Sequence, residues 1–164
     1  MARGFTLIET VMVMVVIAIL AVVMLMRWGA SEKVKLDSAA RKAAGDIRYA
    51  QKLSISTQKR AGVAFNASGY EVYAVINGPS PVLANSPGDP CATRPDGKFV
   101  VDFAAGRCPE FNGVTLSSPI DAIAFDSIGT LINATSGAEL PTQTINVGSK
   151  TLTIEAGTGR VSYY

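Results

Sequence analysis

The chain has 164 residues and a mass of 17.2 kDa, room for one ordinary domain and an appendage. Apolar residues make up 48% of it and charged residues 17%, which excludes disorder as a global description. It contains no histidine, which removes the usual general base, the commonest metal ligand and every histidine-containing triad, so no catalytic group and no metal site is expected.

The net charge of +2 is unevenly placed. Residues 27–60 hold nine Lys/Arg against three acids, whereas residues 61–164 hold five against nine. An apolar end, a basic middle and a mildly acidic remainder suit a membrane surface, nucleic acid, attraction between copies of the chain, or a solvated helix face.

Residues 11–26 carry no charged or polar side chain. From Phe5 to Met26 the only polar residues are Thr6, Glu9 and Thr10. As a helix this segment is about 33 Å long, enough to cross the hydrocarbon core. A cleaved secretory signal requires a small-residue cleavage site, but Arg27 and Trp28 follow directly. A plain anchor fits the length and leaves Glu9 unexplained, because a charged carboxylate within an apolar helix costs several kcal/mol unless it is paired.

The stretch Arg3-Gly4-Phe5-Thr6-Leu7-Ile8-Glu9, followed by the apolar run, resembles the processing motif of type IV pilins and of the pseudopilins of type II secretion systems. The resemblance implies that a prepilin peptidase/methyltransferase cleaves between Gly4 and Phe5 on the cytoplasmic side and methylates the Phe5 amine. The apolar helix stays on the mature protein. Glu9 of one subunit then meets the Phe5 amine of its neighbour, a pairing that sets register more than it adds stability. The basic cluster after Arg27 outnumbers the leader's Arg3, so the positive-inside rule opposes this orientation, and the motif is the stronger signal.

Leu36, Ala40, Ala43, Ile47 and Ala50 recur at steps of four and three, the spacing of a helical stripe. The predicted helix runs from about residue 6 to 56, weakened at Gly29, with its second half laid on a sheet and its charges outward. The expected divisions are a leader (1–4), a transmembrane and assembly helix (5–26), an amphipathic helix (27–56) and a globular β domain (57–164).

From Ala61 the pattern turns to short strands. Val63 and Phe65, a turn at 66–69, and Tyr70, Val72, Ala74 and Ile76 predict a hairpin. Residues 77–97 hold five Pro and three Gly and predict a loop. Strands are expected at 98–103, 113–116 and 122–126, then a hairpin of 144–147 and 150–155 around Gly148-Ser149, and a last strand at 160–163. The fold class is α+β, a long helix on a mainly antiparallel sheet. Cys91 and Cys108 each adjoin proline and are expected in exposed loops, where an oxidising compartment would bond them.

The segments Ile47–Lys52, Phe125–Gly129 and Thr153–Val161 are similar to the GspH/FimT group of minor pilins and pseudopilins, with MSHA-type minor pilins the nearest likeness. That resemblance implies a sheet sandwich packed on the helix, and a low-abundance subunit at or near a filament tip. The implied partners are other pilins, the prepilin peptidase and an inner-membrane assembly platform. The implied location is the inner membrane, single-pass, with the globular domain in the periplasm and then in an extracellular filament. The alternatives are a major subunit, or a minor pilin that binds DNA or a surface. For DNA the sequence offers Arg160 alone, since Ser162 stands where a second arginine is wanted. Asp89, Asp96 and Asp102 match no dense calcium loop, and Gly157-Thr158-Gly159 is too short to cradle a phosphate. No cofactor is expected.

Overall fold

A computed structural model describes residues 6–75, 82–85, 88–91, 98–104 and 107–164, with the backbone alone described over 23–31. The chain divides into two compact units, Met1–Val34 and Lys35–Tyr164.

Unit 1 contributes the first part of helix α1 (Leu7–Thr57). Thr6 precedes the helix, and its side-chain Oγ1 and carbonyl oxygen both accept from the Glu9 N–H, satisfying an otherwise orphaned donor. The helix runs through Gly29 without a break.

Unit 2 holds the rest of α1 and ten strands. The stripe is mostly alanine: Ala39, Ala40, Ala43, Ala44 and Ala50 are buried together with Ile47, while Leu36 is only partly buried, and the small side chains let the backbone lie close to the sheets. The helix ends at Gln58, whose φ of 55° turns the chain out, while the Lys59 N–H returns to the Ser54 carbonyl.

The strands are β1 (Ala61–Asn66), β2 (Gly69–Ala74), β3 (Val82–Leu83), β4 (Val100–Asp102), β5 (Leu116–Ser117), β6 (Ala122–Phe125), β7 (Leu131–Asn133), β8 (Gln143–Val147), β9 (Lys150–Ile154) and β10 (Val161–Tyr163). They form two antiparallel sheets. One has the order β3-β2-β1-β6-β7, with β4 sharing the outer edge of β2, and the other has the order β10-β9-β8-β5. Alternation sets the register of both. In β8, Gln143, Ile145 and Val147 point inward while Thr144 and Asn146 face solvent, and Val147 pairs with Lys150 across the Gly148-Ser149 turn. Val63, Val72, Ile123 and Phe125 from the first sheet and Leu116, Ile145, Leu152 and Ile154 from the second belong to one core with the helix stripe.

Several expectations are corrected. Residues 77–97 are not wholly a loop: Val82 and Leu83 pair with Ala74 and Tyr73, and Asn85 bridges Lys98, because the β2 edge offers unpaired backbone groups there. Residues 76–81, 86–87 and 92–97 lie outside the described residues, as do Ile76 of the expected hairpin and Asp96. The strand expected at 113–116 forms at Leu116–Ser117, since Gly113 adopts a φ of 83° in a turn. Strand β7 and a 3-10 turn at Pro109–Phe111 were not predicted. Cys91 is buried rather than exposed, packed within the core cluster. The charges of the helix do not all point outward, for Asp46 is buried and the Lys42 side chain is only 17% exposed.

Candidate assembly helix and head-domain sites

Within unit 1 the helix presents apolar side chains on every side. Leu7 is 84% exposed, Ile8 77% and Met12 71%, and Val11, Val13 and every larger apolar residue onward to Val22 are exposed as well. An apolar surface of this extent on all faces calls for lipid or protein to cover it. Glu9, also exposed, is the acidic residue of the first turn, where a negative charge complements the helix dipole. Gly4 and Phe5 lie outside the described residues. Among the described residues no helix is long and apolar enough to cross a membrane. The sequence run continues through residues 23–26, whose side chains are outside the described set.

In unit 2, Cys91 and Cys108 are joined by a disulfide with a Cα–Cα distance of 5.1 Å. Glu110 lies beside these sulfurs, but bonded sulfurs are not thiolate ligands, so this trio is no metal centre. Next to the disulfide is a polar node that the sequence did not reveal. The Lys42 ammonium contacts Oδ2 of both Asp46 and Asp89. The Tyr70 hydroxyl donates to Asp46 Oδ2 at 2.5 Å, and the Cys91 N–H donates to Asp89 Oδ1 at 2.9 Å. The Lys42 Nζ stands 5.3 Å from the centre of the Phe99 ring. Burial raises the Asp46 carboxyl above its ordinary range against the lowering effect of Lys42, and burial with the neighbouring Asp46 pushes the Tyr70 phenol well up. The i, i+4 spacing of Lys42 and Asp46 was a readable signal for their pairing, whereas the arrival of Asp89 and Tyr70 depends on long-range folding.

The three short segments of the sequence resemblance meet at one place. Gln51 Nε2 donates to the Gly129 carbonyl at 2.8 Å and to the Thr158 carbonyl at 2.9 Å. Phe125 is fully buried, and Asp126 Oδ1 accepts from the N–H groups of Ile128 and Thr130, closing the turn that ends at Gly129. Gly157 and Gly159 both take positive φ, as turn residues require.

Arg160 is exposed, with its guanidinium 3.6 Å from Glu155 Oε1, so a phosphate would compete with a carboxylate for it. Tyr163 is covered by the Arg41 guanidinium at 5.5 Å, and Arg48 donates to the Val161 carbonyl at 2.7 Å, while Tyr164 is exposed. Arg41 and Arg48 of the helix thus both contact the last strand. Asp102 caps its own turn through the Ala104 N–H, and Asp89 belongs to the lysine node.

Residues 1–25 match the model of the prokaryotic N-terminal methylation motif. No curated protein sequence matches the chain. Two crystal structures of the type IV minor pilin FimU of Pseudomonas aeruginosa (strain PAO1) are similar to it. The P65 form is 17% identical with a TM-score of 0.47, over 78% of this chain and 91% of that one. The P21 form is 16% identical with a TM-score of 0.46, over 82% and 91%.

Proposed function

We propose that this chain, which carries the prokaryotic N-terminal methylation motif at residues 1–25, is a minor pilin or pseudopilin, a structural subunit that assembles through its apolar helix. The observation that carries the reading is an apolar helix, uncovered on every face, that bears a carboxylate at Glu9 and is preceded by Gly4-Phe5. A prepilin peptidase cuts before Phe5 and methylates its amine. The segment 5–26 holds the protein in the inner membrane, with the head in the periplasm, until it is transferred to a filament. There neighbouring helices replace lipid, and the Phe5 amine of one subunit neutralises Glu9 of the next. The disulfide suits an oxidising compartment for the head. The head would take a position at or near the filament tip, and the absence of histidine is in keeping with a subunit that does no chemistry on a substrate.

The test is mass spectrometry of the protein from membranes and from sheared filaments. The expected result is a mature chain beginning at N-methylated Phe5, present in trace amounts in filaments. A chain that retains Met1 to Gly4, or that begins after the apolar run, would overturn the reading. A dominant filament band would make it a major subunit instead.

A further inference from the structure

The node around Lys42 has the parts of an amide-forming centre. A primary amine touches the carboxylate of a residue 47 positions away in sequence, in a site where the side chains of Lys42, Asp46 and Asp89 are 17%, 12% and 10% exposed. A second carboxylate, Asp46, touches the same amine and is held in place by the Tyr70 hydroxyl. The backbone N–H of Cys91 points at Asp89 Oδ1, the oxygen that does not face the amine. The Phe99 ring covers the amine.

We propose that Lys42 and Asp89 condense spontaneously into an intramolecular isopeptide bond, with Asp46 carrying the proton. The step begins with the Lys42 ammonium handing one proton to the Asp89 Oδ2 that it touches, which puts an amine beside a carboxylic acid. The amine lone pair attacks Asp89 Cγ, forming the C–N bond. Negative charge develops on Oδ1, where the Cys91 N–H already donates. Asp46 takes a proton from the attacking nitrogen and delivers it to Oδ2. The Cγ–Oδ2 bond breaks and one water leaves. The reaction needs no oxidant, reductant or activated donor. Its driving force is proximity, since two groups held in contact behave as if present at a very high effective concentration. Asp46 is assigned the proton and Asp89 the acyl role for a geometric reason: Asp89 has a backbone donor, the Cys91 N–H, placed on Oδ1 for a tetrahedral intermediate.

The product would join the helix to the segment that carries Cys91, so that the disulfide and the amide together brace the same region of the head. This inference is independent of the filament reading, because it rests on unit 2 alone.

The test uses the full chain, purified in detergent, unfolded, reduced, alkylated and digested with trypsin. The expected result is a branched peptide joining the segment that begins at Lys42 to the segment that contains Asp89, lighter than the sum of the two by the mass of one water. Cleavage after Lys42 should be lost. Asp46→Asn and Asp89→Ala should each give the two peptides unlinked. Separate peptides from the wild-type chain after prolonged incubation at neutral pH would overturn the proposal, and a full link in Asp46→Asn would overturn the role of Asp46. The wild-type measurement decides the matter even where a variant fails to fold.

Discussion

Gln51 donates one amide nitrogen to the Gly129 carbonyl at 2.8 Å, and the same nitrogen reaches the Thr158 carbonyl at 2.9 Å. One helical side chain thereby closes two turns that belong to different sheets. Gln51→Met removes both bonds while keeping an unbranched side chain, and the expected cost is about 1–3 kcal/mol for the two unpaired acceptors. Thermal unfolding of the variant against wild type measures it, and an unchanged midpoint would show that water replaces the amide without loss.

Gly159 sits in the same junction with a φ of 62°, and a Cβ placed there would lie 2.5 Å from the Gly129 oxygen and 2.9 Å from the Phe125 ring. Gly157 has a φ of 71° and open space around it. Gly157→Ala should cost only the backbone strain, about 1–2 kcal/mol, and Gly159→Ala markedly more because backbone must move as well. Equal losses in urea unfolding would mean that the junction yields freely.

Reduction of Cys91–Cys108 opens a closure with a sequence separation of 17. In the chain-entropy picture the head then loses about 3 kcal/mol. The midpoint of unfolding with and without reductant reports this, and the Cys91→Ser, Cys108→Ser double variant should show no response to reductant.

Asp46 titrates above its ordinary value of 3.8 because burial disfavours its charge. The native state therefore holds this proton at a pH where the unfolded chain has released it. The stability it contributes is complete at low pH and is lost as the pH rises through the native value. The stability of wild type relative to Asp46→Asn should be greatest below about pH 4 and should fall as the pH rises from there. A difference that stays flat across this range would exclude a native value above that of the free side chain.

Glu9→Leu should leave the protein in the inner membrane, since the helix only becomes more apolar, and should remove it from sheared filaments. Normal recovery of the variant in filaments would refute the pairing with the Phe5 amine.

Much of the architecture was legible because it rests on local periodicity. The helix predicted over about 6–56 forms at Leu7–Thr57, the stripe Ala40, Ala43, Ile47 and Ala50 is buried, and the hairpins around residues 66–69 and 148–149 pair as the alternation requires. The misses share one cause. Val82–Leu83 and Leu131–Asn133 are strands of two and three residues, too short to show a period, and they exist because an adjacent edge accepts their backbone groups. Cys91 reads as a loop residue because Pro90 adjoins it and the stretch from there to Cys108 is rich in Asp, Gly and Arg, and nothing local reports that the core folds over it.

The amino-acid order alone determined the methylation motif, the apolar run with its single carboxylate and the division between helix and strands, since each is written in adjacent residues or a short repeat. Only the tertiary structure decided which distant groups share a site. Lys42, Tyr70 and Asp89 are far apart in sequence, as are Gln51, Gly129 and Thr158, and no spacing rule connects them. They meet because the small side chains of the helix let two sheets close against it, and a polar group trapped by that closure must find its partner across elements.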